Sequence, residues 1–340
     1  MTETTQAPRA APPDTTRLQR IALAYWESAA LFAGVELDLF TAIARGHDTI
    51  ASAAKAIGVS ERNAERLMTA LTGMTLLARN GEHFTNAPDA ARFLVKDSSR
   101  YAGPWMLFTK PRWERFGRLA EHLRSRRENV LGAYTEFTVE DARRYHAATS
   151  SIGFGAGRKF CRDVDLSQRH TLLDLGGGSG AYSITAAKTW PQLRAIVFDL
   201  PPVAEVARGY IAENGVADRV SAMAGDFTRS DFPAGVDVVL MASNLPQYEP
   251  DLIRLVVRKA FAALQPGGEM HLVGETLHDD RSGPLSATLW GLNEAIQGST
   301  GVAHSEADVR GYMTEAGFTG VAVHDFVPGV LSRITGHKRA

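Results

Sequence analysis

The feature that most constrains the fold is the run Asp174-Leu-Gly-Gly-Gly-Ser-Gly180, which follows the apolar stretch TLL and precedes the helical segment AYSITAAKTW. Glycines at a strand-to-helix turn let the backbone approach a ligand closely, and the helix N-terminus behind them presents unpaired N–H groups. From His170 onward, TLLDL, RAIVFDL, VSAMAGD, VDVVLMAS and GEMHLVGE alternate with helical segments. That alternation predicts an α/β, Rossmann-like domain, a parallel sheet with helices on both faces.

A chain of 340 residues exceeds what one small core organises, so a second, smaller domain is expected ahead of the glycine loop. Residues 1–17, rich in Pro, Thr and Ala, lack the apolar centre of a signal peptide and read as a disordered tail. Over 18–100, apolar residues recur at helical spacing through IALAYWESAALFAGVELDLFTAI. Then come helix, a turn at Gly58, helix, and two short strands around Asn80-Gly81. This is a winged-helix outline. Its second helix balances Arg62 and Arg66 with Glu61 and Glu65, whereas phosphate binding needs a basic face, so a dimerisation module is preferred over DNA reading. Residues 101–162 read as a helical linker with acceptor-pocket helices, and 163–340 as the ligand-binding domain.

Thirty-seven basic against thirty-eight acidic side chains, a formal charge of −1, point neither to nucleic acid nor to a membrane surface. No apolar run reaches the roughly twenty residues of a membrane helix. The single cysteine, Cys161, cannot form an internal disulfide, and no Cys/His cluster has metal-ligand spacing; a metal-free protein of the reducing cytoplasm is expected.

Gly176, Gly178 and Ala181 satisfy the dinucleotide pattern G-x-G-x-x-A, which alone discriminates weakly. Asp199 ends the second strand, 23 positions after Gly176, where a carboxylate can accept from both ribose hydroxyls. Asp226-Phe227 ends the third, offering an acceptor for an adenine amino group and a ring for its face. Asp174 is unfavourable beside a pyrophosphate and favourable beside an ammonium or sulfonium. Three carboxylates around one glycine turn favour S-adenosylmethionine. The structural alternatives are Asp199 as a strand-end cap and Phe227 as core.

The segments DLGGGSG, FDLPPV, GDF and LQPGG, in this order and spacing, resemble class I methyltransferases of the acetylserotonin O-methyltransferase-like family. WESAALFAGVELDLF and the winged helix resemble that family's dimerisation domain. The likeness implies a homodimer, S-adenosylhomocysteine as product, and a cofactor-binding domain over 163–340. It places Asp174, Gly176, Gly178 and Gly180 at the methionine part, Asp199 at the ribose, and Asp226 and Phe227 at the adenine, with Leu200 and Ser243 completing the site.

One position departs from the family. Members that methylate hydroxyls carry a histidine after the fourth strand, in a Leu-His-Asp-Trp-like segment, as general base. Here the segment is Leu245-Pro246-Gln247-Tyr248, and Pro246 has no ionisable group. The family's acidic helper persists as Glu275; its second glutamate falls on Ala303, with His304 the nearest substitute. A phenol of pKa about 10 is about one part in a thousand ionised at pH 7, a handicap of about 4 kcal/mol that a base offsets. A thioether sulfur carries no proton to remove.

In the helix ahead of the glycine strand, Arg143, Arg144, Tyr145, His146 and Thr149 are available to hold a small polar acid. The alternative is solvated arginines and a locally bonded His146; adjacent helical positions point about 100° apart, so only some can face one pocket. Trp105, Phe108, Trp113, Tyr248 and Trp290 are candidate walls, and Asn293 and Gln297 share a polar helix face. Tyr145, His146 and Glu275 are expected to position the acceptor. A missing base and a polar pocket resemble the methylthiohydroxybutyrate S-methyltransferases of dimethylsulfoniopropionate synthesis. The expected reaction is base-free methylation of the thioether of 4-methylthio-2-hydroxybutyrate through proximity and desolvation. Two other functions fit: O- or C-methylation of a small natural product with His146, His304 or Glu275 as an atypical base, and a winged-helix regulator that senses S-adenosylmethionine.

Overall fold

The computed structural model describes residues 13–125 and 128–340 and divides into two units, one ending at Leu107 and the other beginning at Phe108. The expected tail lies outside the described residues as far as residue 12, and Thr16 already opens a helix. Among the described residues no helix is long and apolar enough to cross a membrane.

The first unit contains α1 (Thr16–Glu36), α2 (Leu39–Ala44), α3 (Ile50–Ile57), α4 (Glu61–Gly73), the hairpin β1 (Leu77–Asn80) and β2 (His83–Asn86), α5 (Pro88–Phe93) and α6 (Gly103–Leu107). Thr49 and Ser60 cap α3 and α4 by accepting from the backbone N–H three residues on, and Gly58 closes α3 at φ 72°. Leu39, Phe40, Met68, Leu71 and Phe84 form its core. On α1, by contrast, Leu18, Ile21, Tyr25 and Trp26 are 53–61% exposed in the isolated chain. An apolar stripe of this kind marks an association surface.

The second unit opens with α7 (Trp113–Gly117), α8 (Leu119–Arg124) and the long α9 (Val139–Asp163). There follow β3 (Thr171–Leu175), α10 (Ala181–Thr189), β4 (Arg194–Asp199), α11 (Pro201–Glu213), β5 (Val220–Ala224), β6 (Val236–Ala242), α12 (Pro250–Ala263) and β7 (Leu264–Gly274). The chain closes with β8 (Thr276–Leu277), α13 (Leu285–Gln297), β9 (His304–Ser305), α14 (Glu306–Ala316), β10 (Thr319–Val327) and β11 (Leu331–His337). The seven-stranded sheet runs β10-β11-β7-β6-β3-β4-β5. Strands β5, β4, β3, β6 and β7 are parallel neighbours, and β11 and β10 add antiparallel to β7.

Alternation along the strands builds two cores. Leu173, Val239 and Met241 pack with Val256 and Met313 on one face, while Leu172, Val238 and Leu240 pack with Phe160, Ile184 and Ile211 on the other. A parallel sheet covered on both faces must be apolar on both, which is why β6 reads as a continuous apolar run around Asp237. Strand β3 has β4 on one side and β6 on the other, so the chain reverses its order of addition there. In open α/β sheets ligands bind outside the carboxyl ends of the strands at such a switch point. The glycine run begins there.

Candidate active site

The loop between β3 and α10 could not carry side chains at its key positions. Gly176, Gly178 and Gly180 have φ of 62°, 58° and 75°, the left-handed region. Space forbids a side chain as well: a Cβ on Gly176 would lie 2.6 Å from Asn244 Nδ2, and one on Gly178 would lie 2.7 Å from His146 Cε1. Asn244 Nδ2 donates to the carbonyls of Leu175, Gly176 and Ala242 at 3.3, 3.3 and 2.9 Å, which ties the loop to the end of β6.

Asp199 buttresses the same loop. Its Oδ2 accepts from the Gly178 N–H at 2.8 Å and its Oδ1 from the Leu200 N–H at 2.7 Å, leaving further lone pairs for hydroxyl donors. Burial raises its pKa to about 6 against the opposing effect of those two donors. Asp174 is buried more deeply. Its Oδ2 accepts from Ser183 Oγ at 2.7 Å, while Oδ1 has no partner among the described residues. Burial lifts this carboxyl to about 7, with Ser183 opposing and the Asp199 charge adding to the rise. A buried, unpaired carboxylate oxygen is costly unless a cation meets it. The ammonium and sulfonium of S-adenosylmethionine are cations of this kind, and the residues fit that molecule.

Asp226 Oδ1 accepts from the N–H and hydroxyl of Thr228 at 2.8 and 2.6 Å, and Oδ2 lies 3.8 Å from Arg229 Nε. The carboxylate is thereby oriented with one oxygen left lightly engaged. Phe227 is 6% exposed and meets Tyr248 edge-on at 5.2 Å, so its ring is part of the core. Ser243, at φ 60°, is a non-glycine residue in the left-handed region, its N–H donating to the Val273 carbonyl at 2.8 Å. Such backbone strain concentrates at functional sites.

Helix α9 sorts the acceptor candidates by face. The side chains of Arg143 and Arg144 are 63% and 69% exposed; the first lies 3.6 Å from Glu205 and the second pairs with Asp141. Neither is aimed at a pocket, which corrects the expectation for both arginines. Tyr145 and His146, on the adjacent helical positions, turn inward. Thr149 donates its hydroxyl to the Tyr145 carbonyl at 3.0 Å, an intrahelical bond. The Tyr145 ring is framed edge-on by Phe108 and His146 at 5.1 Å and by Tyr134 and Phe137 at 6.2 Å. Burial raises the Tyr145 hydroxyl pKa, with the neighbouring Tyr134 hydroxyl and the Arg112 charge opposing the rise. Burial also lowers His146 to about 4, so at neutral pH it is an uncharged imidazole and a weak base.

The other basic candidates are committed elsewhere. Pro246 is buried in the short 3-10 turn after β6. His304 Nε2 donates to the Tyr248 carbonyl at 2.9 Å and Nδ1 accepts from the Tyr312 hydroxyl at 3.0 Å. Both ring nitrogens are therefore used, which corrects the expectation that His304 could serve as a substitute base. Glu275 is deeply placed, burial raising its pKa while its own backbone N–H opposes the rise.

Three contributors escape the sequence reading. Glu294 is buried on α13; Oε1 accepts from Asn293 Nδ2 at 3.2 Å and Oε2 from Ser299 Oγ at 2.6 Å. It lines a small cavity with Tyr134, Gln247, Tyr248, Gln297 and Ser299. An acid within the largely apolar LSATLWGLNEAIQ is a signal that could have found it. Arg112, whose Nη1 donates to Asn293 Oδ1 at 3.5 Å, and Tyr134 lie in segments without periodicity, where no such signal exists. Trp105 falls on the first unit, and Trp113 and Trp290 are half-buried in the second.

The O-methyltransferase domain profile matches residues 132–319, and the O-methyltransferase dimerisation domain profile matches residues 19–97. The chain is 29% identical over 338 residues to 3-hydroxy-5-methyl-1-naphthoate 3-O-methyltransferase of Streptomyces sahachiroi, covering 95% of each protein. It is 30% identical over 327 residues to acetylserotonin O-methyltransferase of Mus musculus, covering 90% of this chain and 84% of that one. In fold it is similar to human N-acetylserotonin methyltransferase solved in complex with SAM, with a TM-score of 0.81 at 22% identity, covering 98% of this chain and 100% of that one. With more than half of its length matched by the first profile, the chain belongs to the O-methyltransferase family. It is an S-adenosylmethionine-dependent methyltransferase with the class I fold.

Proposed function

We propose that this methyltransferase acts on an acceptor atom that gives up no proton, and that the acceptor is the thioether sulfur of 4-methylthio-2-hydroxybutyrate, a step of dimethylsulfoniopropionate synthesis. The observation that carries this reading is the basicity of the site: Pro246 stands where the family places its histidine, His304 is bonded through both nitrogens, and His146 is held near pKa 4. When bound, S-adenosylmethionine supplies a methyl carbon whose bond to sulfur breaks with the electron pair staying on that sulfur, while a lone pair of the acceptor forms the new bond. Total charge is unchanged and no proton leaves.

The chain's own residues then have three tasks. Asp174 holds positive charge at the buried end of the loop, and Asp199 and Asp226 accept from the hydroxyl and amino groups of the nucleoside. His146, against Gly178, sets the distance between the loop and the acceptor side. Tyr145, Tyr134, Phe108 and Phe137 exclude water and orient the acceptor, which is the contribution a base-free displacement needs. The dimerisation-domain match and the exposed α1 stripe support a homodimer, and dependence on an intracellular methyl donor supports a cytoplasmic enzyme.

A second reading is methylation of a hydroxyl. The relatives named above act on hydroxyls, and Glu275 and Glu294 are carboxyls whose pKa burial raises. Incubation with S-adenosylmethionine labelled in its methyl group separates the two readings. Label is expected in 4-methylthio-2-hydroxybutyrate, against methionine and a panel of phenols. Transfer to phenols alone would remove the thioether acceptor and leave the family assignment intact.

A further inference from the structure

The acceptor side of the site holds an arginine that is only partly solvated and is in no ion pair with a carboxylate among the described residues. Arg112 is half-buried, its guanidinium carbon 4.7 Å from the centroid of the Phe108 ring, the same ring that meets Tyr145 edge-on at 5.1 Å. A cation–π contact of this kind restrains a guanidinium without using its N–H donors. Its one hydrogen bond among the described residues is long, 3.5 Å to Asn293 Oδ1, and goes to a neutral amide. The nearby acid, Glu294, is occupied on both oxygens by Asn293 and Ser299. The positive charge of Arg112 is nevertheless felt by Tyr134, Tyr145 and Glu294, each of which it pulls toward ionisation against burial. Arg112 thus stands one ring beyond Tyr145, while His146, the next residue of α9, touches the cofactor loop at Gly178.

We propose that Arg112, held on Phe108 and oriented by Asn293, is the subsite for the acceptor's carboxylate, so that the acceptor spans from the loop past Tyr145 to this guanidinium. The proposal rests on the acceptor assigned above and names the residue that selects it. A fork of N–H donors matches a carboxylate in two bonds, and a ligand carboxylate exchanges a long amide contact for a charge-assisted pair. The neighbouring Arg143 and Arg144 cannot do this from the solvent face of α9.

The test uses the full-length enzyme saturated with S-adenosylhomocysteine and titrated with matched acid and amide pairs: 4-methylthio-2-hydroxybutyrate against its carboxamide, and 3-hydroxy-2-naphthoate against its carboxamide. The wild-type protein is expected to prefer the acid in the thioether pair. Arg112→Gln should weaken the acid by about ten- to hundredfold, leave the amide within about twofold, and leave S-adenosylhomocysteine affinity unchanged; Arg112→Lys should restore part of the preference. An unchanged acid-to-amide ratio in Arg112→Gln, for whichever pair binds, overturns the proposal, as does failure of the wild type to bind either acid. Preference confined to the naphthoate pair, lost in Arg112→Gln, would keep the carboxylate subsite and overturn the thioether acceptor instead.

Discussion

The imidazole of His146 occupies the space that a side chain on Gly178 would need, its Cε1 2.7 Å from where that Cβ would be. A residue of the acceptor helix and a residue of the cofactor loop are therefore fitted to one another. Gly178→Ala meets both this clash and the cost of an L-residue at φ 58°. S-adenosylhomocysteine affinity is expected to fall by about tenfold or more. The double variant with His146→Ala should recover part of that loss, because only the steric component is relieved. Titration calorimetry on the four proteins of the cycle measures the coupling; strict additivity would contradict the fitted contact.

Asp174, at a folded pKa of about 7 against an ordinary value of 3.8, is a group whose ionisation the fold opposes. It costs stability in full above pH 7, and that cost is relieved progressively as pH falls from about 7 toward 3.8. Asp199, raised to about 6, acts in the same direction, while His146, His271 and His304, all lowered by burial, act in the opposite one, so the carboxyl is read from the difference between the wild type and Asp174→Asn. Between pH 8 and 6.5 the stability deficit of the wild type relative to Asp174→Asn is expected to shrink in the cofactor-free protein, while wild-type affinity for S-adenosylhomocysteine declines, since its ammonium needs the ionised form. Asp174→Asn should raise the cofactor-free Tm by about 2–4 °C for each kcal/mol recovered and weaken the nucleoside product by about tenfold or more. Calorimetric scans and titrations at several pH values check both signs.

Asp199→Ala removes the acceptor shared by the N–H groups of Gly178 and Leu200, leaving two part-buried donors unpaired and removing the proposed ribose acceptor. Loss of S-adenosylhomocysteine binding by about a hundredfold is expected, with circular dichroism showing the helices retained. Unchanged titration would dismiss Asp199 as the ribose acceptor.

At saturating donor and acceptor, kcat for a thioether should be flat between pH 6.5 and 9, because His146, the imidazole against the loop, has its pKa lowered to about 4. Pro246→His should bring no gain. A rising limb that disappears in Glu275→Gln would instead identify a carboxylate base.

Arg143→Ala and Arg144→Ala are expected to leave acceptor KM within about twofold, since both side chains are exposed and already paired to Glu205 and Asp141. A larger rise for either would place it in the site.

What the chain reveals before folding differs sharply between the two halves of the site. The cofactor half is local: strand, glycine turn and helix are consecutive, and Asp199 and Asp226 sit at strand ends whose apolar periods are plain. The acceptor half is assembled from α9, α13 and the stretch before α9, and its members meet only through tertiary packing. Helical geometry announces that Arg143 and His146 cannot both face one pocket, but not which one does. That is decided by the capping box at Thr138 and Asp141, which draws Arg144 to the outer face, and by Gly178, whose missing side chain makes room for the imidazole. His304 misled for a related reason. Its side chain serves as a brace between the β6–α12 segment and α14, a role that leaves no trace in spacing.

Consecutive side chains of α9 divide between two places: His146 rests on the glycine loop, and Tyr145 sits among Phe108, Tyr134 and Phe137. Neither place can be reshaped along this helix without the second registering the change. Any coupling of occupancy between the two sides through this helix is reciprocal, changing each affinity by the same factor.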